Sequence, residues 1–239
     1  MEVKLDQHFM DAKYAKKVVD LARITKSDTV LEIGPGKGVL TELLAGRAKK
    51  VIAVEIDPSF EGYPENVESV PGNALGLMRK IAFTKVVSNL PYSICEAFLN
   101  QLTYCSFKSA VVTVPEIFAG RLQAKKGPLC SKLSLMASWF FSIKRGPKIP
   151  RSAFDPEPDT DSVVIVIRPT KRTSRQELFL QKDKKLKNIL LSLPGRTKNQ
   201  ARQMLEKMCV TPELLDKKPQ NLSLEETLQA ETILKKLFR

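Results

Sequence analysis

Four consecutive residues, Asn89-Leu90-Pro91-Tyr92, combine groups that suit a flat base carrying an exocyclic amino group. The side-chain oxygen of Asn89 and the carbonyl oxygen of Leu90 are two acceptors, and such an amino group has two N–H donors. Pro91 fixes the turn, and the ring of Tyr92 can stack on a base. An Asn-Pro turn beside a buried tyrosine is the plainer interpretation of these residues alone. Their position at the end of an apolar run, together with the two features described next, favours the base-binding interpretation.

A glycine-rich segment, residues 34–38, follows another short apolar run and predicts a cofactor loop. Glycines let a ligand approach the backbone closely and permit a tight turn. The spacing is GxGxG, not the GxGxxG of dinucleotide binders, and a strand–helix turn could use these glycines without a ligand. Glu55, however, lies 21 residues after Gly34 at the end of the next strand pattern, where an acidic side chain can accept both hydroxyls of a ribose. Together these features predict a nucleoside-containing cofactor at the carboxyl edge of a sheet.

The elements that must position these residues alternate between strand and helix over the first two thirds of the chain. Apolar runs predict strands at 29–33, 51–56, 67–70, 86–89 and 109–114, and helical periodicity predicts helices at 12–22, 40–48, 94–103 and 116–124. Such alternation is typical of a parallel sheet with helices on both faces. A further run at 162–167 follows a proline-rich loop, so we expect it to be antiparallel and to close the sheet. The predicted fold class is α/β.

The strand pattern stops near residue 170. Helices are predicted at 184–193, 198–208 and 224–238, and Ser223 with Glu226 forms a capping box at the start of the last one. We therefore expect two domains, residues 1–170 with the sheet and the cofactor site, and residues 171–239 as a small all-helical domain.

The charge of the chain predicts a polyanionic partner. The 239 residues hold 39 Lys and Arg against 26 Asp and Glu, a net charge of +13, of which residues 171–239 contribute +8. Nucleic acid is the simplest such partner, although a generally basic proteome or a thermophilic surface would give a similar surplus. Hydrophobic residues at 43% and charged residues at 27% exclude a disordered or fibrous chain.

Other features predict a cytoplasmic protein without a metal. No apolar run approaches the roughly 18–20 residues that span a bilayer, and the first residues lack the apolar core of a secretory signal. The four cysteines contain no CxxC pair, which argues against a zinc site or a disulfide scaffold and fits a reducing compartment.

Ordered motifs over nearly the whole chain resemble those of the S-adenosylmethionine-dependent adenine N6-dimethyltransferases of small-subunit ribosomal RNA. The matching segments are Gln7–Met10, Val30–Gly36, Val54–Asp57, Asn89–Ile94, Glu116–Leu122, Phe154–Pro158 with Asp161 and Ser162, and Pro219–Ser223. The resemblance implies a Rossmann-like class I methyltransferase sheet, S-adenosyl-L-methionine as cofactor, and a helical C-terminal domain that contacts ribosomal RNA. It also implies a monomer that acts on small-subunit ribosomal RNA, or on a pre-30S-type particle, during ribosome assembly.

The resemblance assigns roles to individual positions. Its cofactor-binding residues are Gln7, His8 and Met10 at the methionine end, Gly34 and Gly36 along the loop, Glu55 at the ribose, Ile56 on the adenine ring, Asn73 and Ala74 at the adenine edge, and Asn89 beside the target base. The resemblance also implies that Asn89 and the Leu90 carbonyl accept the two N6 hydrogens of a flipped adenine, with no general base. Phe154 would face Tyr92 across that adenine. The alternative is a core aromatic for Phe154 and an ordinary surface or capping histidine for His8.

Four positions depart from the pattern of that family, and three other functions remain possible. Asp6 stands where glycine is usual, Asn73 where aspartate is usual and Pro115 where glutamine is usual, and residues 58–65 are too short for the usual helix. These departures concern the cofactor rim and not Asn89 to Tyr92. The alternatives are a large-subunit ribosomal RNA adenine methyltransferase, a catalytically idle RNA- or DNA-binding relative, and a methyltransferase of proteins or small molecules. The charge and the paired acceptors disfavour the last.

Overall fold

The chain divides into two units in the computed structural model, which describes residues 8–56, 62–124, 128–192 and 194–237. The first unit comprises residues 1–124 and 141–169, and the second comprises residues 125–140 and 170–239. The sequence pattern had placed 125–140 with the sheet. The difference arises because the helix Lys132–Phe140 buries nearly all its side chains, and Trp139 packs edge-on against Phe179 with ring centroids 5.6 Å apart.

Seven of the strands form one sheet in the first unit. They are β2 (Thr29–Ile33), β3 (Lys50–Glu55), β4 (Val67–Pro71), β5 (Lys85–Asn89), β6 (Ser109–Pro115), β7 (Phe141–Ile149) and β9 (Ser162–Pro169). Their order is β4-β3-β2-β5-β6-β9-β7. The five strands from β4 to β6 are parallel, whereas β9 is antiparallel to both β6 and β7. Continuous apolar runs such as β2 and β6 suit central strands that are buried on both faces.

The strand order reverses beside β2. The chain places β3 and β4 on one side of β2 and then returns to place β5 and β6 on the other side. In open α/β sheets, ligands bind outside the carboxyl ends of the strands at such a reversal. The glycine loop follows β2, Glu55 ends β3, Asn73 follows β4 and Asn89 ends β5. The fold therefore gathers these predicted site residues at one edge.

Helices of the first unit connect these strands. They are α1 (Ala12–Ala22), α2 (Val39–Ala45), α3 (Ala74–Leu77), α4 (Cys95–Leu102) and α5 (Glu116–Gln123), with a 3-10 turn at Tyr92–Ile94 directly before α4. Helix α1 begins after Asp11, whose carboxylate accepts the backbone N–H of Lys13 at 2.7 Å. Its face with Val18 and Val19 is buried in the core cluster.

A second, two-stranded sheet fixes the segment before α1. Strand β1 (Phe9–Met10) pairs antiparallel with β8 (Phe154–Asp155), which follows a 3-10 turn at Arg151–Ala153. The backbone N–H of Asp11 extends this pairing by donating to the Ala153 carbonyl at 2.9 Å. The pairing holds His8 and Phe9 in a position where both line the cavity described below.

The second unit is helical throughout its described residues. Its helices are α6 (Lys132–Phe140), α7 (Ser174–Leu180), α8 (Leu186–Ser192), α9 (Lys198–Lys207), α10 (Pro212–Asp216) and α11 (Leu224–Leu237), with a 3-10 turn at Pro219–Asn221. The expected capping box starts α11, since the Ser223 N–H donates to Glu226 at 2.8 Å and the Glu226 N–H donates to Ser223 at 3.1 Å.

The predicted strands and helices lie where the sequence placed them, within a few residues, but the helices α6, α7 and α10, the short elements β1, β8 and α3, and the nine-residue strand β7 were not predicted. This strand contains Gly146 and Pro147 among charged residues, which obscures the strand pattern. Proline is tolerated there because β7 is an edge strand, and its pairing with β9 is interrupted between Arg145 and Lys148. After β3, the described residues 62–66 form a turn before β4 and no helix. Within the described ranges, no helix is long and apolar enough to cross a membrane.

Candidate active site

A cavity of about 230 Å³ opens at the carboxyl edge of the sheet. It is lined by the glycine loop after β2, by the segments that follow β3, β4 and β5, and by residues 8–10. Of the cofactor-binding residues named from the sequence, nine line it, namely His8, Met10, Gly34, Gly36, Glu55, Ile56, Asn73, Ala74 and Asn89. The tenth, Gln7, lies outside the described residues. The carboxyl edge of the sheet therefore carries nearly all the cofactor-binding residues named from the sequence.

The glycine loop needs glycine at two positions for different reasons. Gly34 has φ +66°, a left-handed conformation, and its N–H donates to the Val54 carbonyl at 2.9 Å. At Gly36, with φ +51°, an added Cβ would lie 2.8 Å from the ring of Phe9. The loop is thus shaped so that backbone, rather than side chain, faces the cavity.

Glu55 presents a carboxylate held by two backbone amides. The residue is 8% exposed, and its oxygens accept the N–H of Gly36 at 3.3 Å and its neighbour Ile56's N–H at 2.8 Å. A carboxylate fixed in this way can accept the hydroxyls of a ribose. Ile56 is 58% exposed although its side chain is large and apolar, which suits contact with a flat ring.

Asn73 lies between the end of β4 and the start of α3. Its side-chain Oδ1 accepts the Leu75 N–H at 3.0 Å and so caps the helix. The adjacent Gly72 N–H donates to the Glu55 carbonyl at 2.7 Å, which ties this segment to the end of β3. Asn73 and Ala74 therefore form the cavity wall next to Glu55.

The amide nitrogen of Asn89 makes a hydrogen bond, whereas its amide oxygen makes none in the described part of the chain. Its Nδ2 donates to the His8 carbonyl at 2.8 Å. Its Oδ1 is buried and has no hydrogen-bond donor in the described part of the chain. An amide fixed through its nitrogen leaves its oxygen as an acceptor in a defined direction. Leu90 and Pro91 follow along the same wall.

Two contacts orient the ring of Tyr92. Its hydroxyl shares a hydrogen bond of 2.5 Å with the hydroxyl of Ser162, a fully buried residue at the start of β9. The His8 ring lies beside it, with centroids 5.4 Å apart and planes tilted by 31°. His8 is in turn fixed by a 2.7 Å hydrogen bond between Nδ1 and the Pro156 carbonyl. The motif match included Ser162, but no sequence pattern indicated that it contacts Tyr92.

Phe154 is not among the residues that line the cavity, and the expectation that it faces Tyr92 across a base stays a prediction. Phe154 is 5% exposed and belongs to the core cluster, because β8 pairs it with Met10 of β1. The core-aromatic alternative describes its position in this structure. The ring of His8 lies beside that of Tyr92.

Glu32 is a residue of this region for which the sequence predicted no separate role. It is 1% exposed, and neither of its oxygens has a hydrogen bond among the described residues, nor does the hydroxyl of Thr41. Burial raises the pKa of Glu32 to about 8, and the charge of Glu55 adds to the rise, whereas the proximity of Thr41 lowers it. The sequence signal that could have drawn attention to Glu32 is its position as an acidic residue inside the mostly apolar strand Thr29–Ile33, immediately before the glycine loop.

Comparison with known proteins identifies relatives along the chain. A family model described as ribosomal RNA adenine dimethylase matches residues 2–231. The probable ribosomal RNA small subunit methyltransferase A of Methanosarcina mazei is 40% identical over 78% of this chain and 76% of its own length. That of Methanosarcina barkeri is 35% identical over 94% of this chain and 84% of its own length.

Solved structures support the same fold. A dimethyladenosine transferase from Plasmodium falciparum has a TM-score of 0.66 and 26% identity, covering 96% of this chain and 98% of its own. The 23S rRNA methyltransferase ErmE has a TM-score of 0.60 and 22% identity, covering 95% and 99%. With the strand order above, these likenesses establish the Rossmann-like fold of class I methyltransferases.

Proposed function

The chain belongs to the ribosomal RNA adenine dimethylase family, and from this premise we propose that it dimethylates N6 of adenines in small-subunit ribosomal RNA. The observation that carries the chemistry is the buried Oδ1 of Asn89, an acceptor without a donor in the described chain. A fold leaves such an atom unpaired at a cost of about 1–3 kcal/mol. A donor from a substrate, such as the amino group of adenine, satisfies it.

The residues of the cavity fit S-adenosyl-L-methionine, which supplies an electrophilic methyl group when it is bound. The Glu55 carboxylate, held by two amides, would accept the ribose hydroxyls. The exposed face of Ile56 would pack on the adenine ring. The glycine loop and His8 would enclose the methionine end, as both line the cavity. The unpaired Asn89 oxygen at the far wall then lies where a target base would meet the methyl group.

The target adenine is activated by position. Asn89 Oδ1 and the Leu90 carbonyl accept the two N6 hydrogens, which draws the N6 lone pair out of the ring system and directs it at the methyl group. Orientation of this kind contributes several kcal/mol without a general base. Because the amide of Asn89 is already fixed by the His8 carbonyl, little reorganisation is needed. Transfer would leave S-adenosylhomocysteine and a positively charged N6, which would lose one proton to water. The remaining N6 hydrogen would still meet one of the two acceptors, so a second transfer could follow.

Tyr92 holds the base that has left its stack. Its ring lies in the cavity wall, where it is held by the hydrogen bond to Ser162 and lies beside His8. In this proposal a base stacks on Tyr92, and Phe154, which does not line the cavity, is not required for that contact.

The second unit supplies the contact with RNA. Residues 171–239 carry a net charge of +8, and several cations on its surface have no acidic partner. On α9, Lys198 and Arg202 are four residues apart and exposed, and neither forms an ion pair in the part of the chain described here. Cations at this spacing lie on one helix face and can contact a phosphate backbone.

The names of the relatives support the small subunit as substrate, and we extend the proposal to a pre-assembled particle acted on by a monomer. The test offers labelled S-adenosylmethionine with small-subunit RNA, unmethylated small subunits, or large-subunit RNA. We expect label in small-subunit adenines, most strongly in the particle, with primer extension locating the sites. Label confined to large-subunit RNA would overturn the substrate assignment, and cofactor binding without transfer to any RNA would favour an idle relative.

A further inference from the structure

Two charged side chains of opposite sign line the cavity. Of the Asp, Glu, Lys and Arg residues that the structure describes, Glu55 and Lys37 are the two in its wall. The Glu55 carboxylate is held by two backbone amides. Lys37 is exposed and forms no ion pair with any described residue. Its ammonium group is therefore available to an anionic group of a ligand, and the proposed methyl transfer does not use it.

The ammonium group of Lys37 is held over an aromatic ring. Its Nζ lies 4.4 Å from the centroid of the Phe9 ring, a distance at which the negative face of the ring attracts a cation. The ring is packed against the glycine loop, since a Cβ added at Gly36 would lie 2.8 Å from it. Strand β1 fixes the backbone of Phe9 opposite Asp155. The lysine therefore has a preferred position before a ligand arrives, which lowers the entropy cost of binding.

Phe9 belongs to the side of the cavity where the target adenine is proposed to bind. The preceding residue, His8, holds the Asn89 amide through its carbonyl at 2.8 Å, and its ring lies beside that of Tyr92. An adenine that brings N6 to Asn89 keeps its sugar and phosphates toward the opening, because the RNA backbone continues outside the protein. A backbone phosphate beside that adenosine then lies on the side of the cavity that carries Lys37. This step rests on the proposed function, since it requires an RNA adenine at Asn89.

We propose that Lys37 binds a phosphate of the RNA backbone beside the target adenosine and so positions the flipped nucleotide for methyl transfer. Phosphate oxygens are common partners of lysine in complexes with nucleic acids. The other anionic oxygens within the site would be those of the cofactor's carboxylate. The exposure of Lys37 favours the phosphate, because the glycine loop and His8 would enclose the methionine end of the cofactor, whereas Lys37 is open to solvent.

The test compares the wild type with Lys37→Ala, Lys37→Arg and Lys17→Ala. Lys17 is the matched control, because it is exposed and its Nζ lies 5.0 Å from the centroid of the Tyr14 ring on α1, while neither residue lines the cavity. Binding to unmethylated small subunits and methyl transfer to them are measured at about 50 and about 200 mM monovalent salt. Calorimetric titration gives the affinity of each protein for S-adenosyl-L-homocysteine, and thermal unfolding confirms that each variant is folded.

We expect Lys37→Ala to bind small subunits about fivefold more weakly than the wild type at the lower salt concentration, the value of an exposed ion pair. Loss of one phosphate contact makes the dependence of log affinity on log salt concentration shallower by about 0.7–0.9. The deficit of Lys37→Ala should therefore shrink about threefold at the higher concentration. Lys37→Arg should restore binding and its salt dependence, Lys17→Ala should match the wild type, and the affinity for S-adenosylhomocysteine should be the same in all four proteins.

Three results would overturn the inference. The first is an unchanged salt dependence in Lys37→Ala, and the second is an equal deficit in Lys17→Ala, which would trace the loss to total charge. The third is weaker binding of S-adenosylhomocysteine by Lys37→Ala, because the ammonium group would then hold the cofactor's carboxylate. A wild type that binds S-adenosylhomocysteine but transfers no methyl group to RNA would instead refute the proposed function, and the inference with it.

Discussion

Two buried carboxylates, four residues apart at opposite ends of β2, have opposite surroundings. Asp28, just before the strand, is 1% exposed and accepts from the Thr25 N–H at 3.0 Å, from the Thr84 hydroxyl at 3.0 Å and from Lys85 at 2.9 Å. Burial alone would raise its pKa, but these partners hold it well below the usual range. Glu32, near the other end, is equally buried and makes no hydrogen bond with the described residues. Burial raises its pKa to about 8.

The difference between the two ends of β2 extends across the sheet. In the described part of the chain, the buried side-chain oxygens without a hydrogen bond belong to Glu32, Thr41, Asn89 and Thr113. All four lie at the carboxyl edge, since Thr41 follows the glycine loop and Thr113 pairs with Asn89 in the ladder. Native folds satisfy nearly all buried polar groups. In the described part of the chain, the buried polar groups at the amino edge are therefore paired within the protein. At the carboxyl edge four residues have unpaired oxygens, and one of these residues, Asn89, lines the cavity.

The largest expected effect is on catalysis at the carboxyl edge. Asn89→Ala removes the acceptor for N6, and we expect kcat to fall by about 10²–10³, as when one preorganised hydrogen bond is lost from a transition state. Cofactor affinity should fall less, so kcat drops more than KM rises. Steady-state kinetics with calorimetric titration measures both, and turnover close to that of the wild type would refute the role of Asn89.

The next effect is on stability at the amino edge. Asp28→Asn leaves the Lys85 ammonium, which is largely buried, without its counter-charge, and we expect a loss of about 3 kcal/mol in the free energy of unfolding. Cofactor affinity of the folded variant should be unchanged, because Asp28 is at the opposite end of β2 from the cavity. Urea unfolding and titration check the two statements separately. If Asp28→Asn were as stable as the wild type but bound the cofactor more weakly, Asp28 would serve binding and not stability, which would contradict the assignment of the two edges.

Glu32→Gln, unlike Asp28→Asn, should raise the free energy of unfolding, and the size of this gain should depend on pH. Between the unfolded pKa of 4.5 and the folded value of about 8, the unfolded chain releases a proton that the folded protein retains. Rising pH therefore destabilises the wild type by about 1.4 kcal/mol per pH unit in this window. The glutamine variant lacks this loss, so its advantage in urea unfolding should grow by about 3 kcal/mol from pH 5 to pH 7.5.

The control for this pH effect is Glu42→Gln, which replaces an exposed acid on α2. Any change with pH in its stability difference from the wild type is subtracted from the change measured for Glu32→Gln. A difference for Glu32→Gln that stays constant after this subtraction would mean that Glu32 ionises at an ordinary pH in the folded protein.

The smallest effects concern the stacking ring. Tyr92→Ala should lose roughly 1–3 kcal/mol of base stacking, seen as weaker RNA binding and slower transfer. Tyr92→Phe keeps the ring and should remain active, losing at most about 1 kcal/mol from the bond to Ser162. Ser162→Ala is its matched partner. If the two hydroxyls serve only to orient the ring, Tyr92→Phe, Ser162→Ala and the double variant should all show the same small loss of activity. A loss in the double variant equal to the sum of the two single losses would mean that Ser162 has a further role.

The arrangement of the sheet was predictable from the sequence because it depends on the periodicity of apolar residues and on the position of the motifs along the chain. Short, mostly apolar runs mark β2, β5 and β6, and the glycine loop with Glu55 marks the cofactor edge. Strand β7 and the membership of α6 in the second unit depend on pairing and burial, which local pattern does not encode. The same limit applies to the site, where Asn89 and Tyr92 were evident, whereas the burial of Phe154 and the hydrogen bond between Tyr92 and Ser162 depend on contacts made only in the folded chain.

The claim that Asn89 holds N6 of a small-subunit adenine is tested most directly by nucleoside mass spectrometry. Small subunits are incubated with S-adenosylmethionine and either the wild type or Asn89→Ala, at cofactor concentrations that saturate both proteins. We predict N6-methyladenosine followed by N6,N6-dimethyladenosine with the wild type, and neither above background with the variant. Methylation at another atom of adenine, or equal yields of the dimethylated nucleoside from both proteins, would contradict the claim.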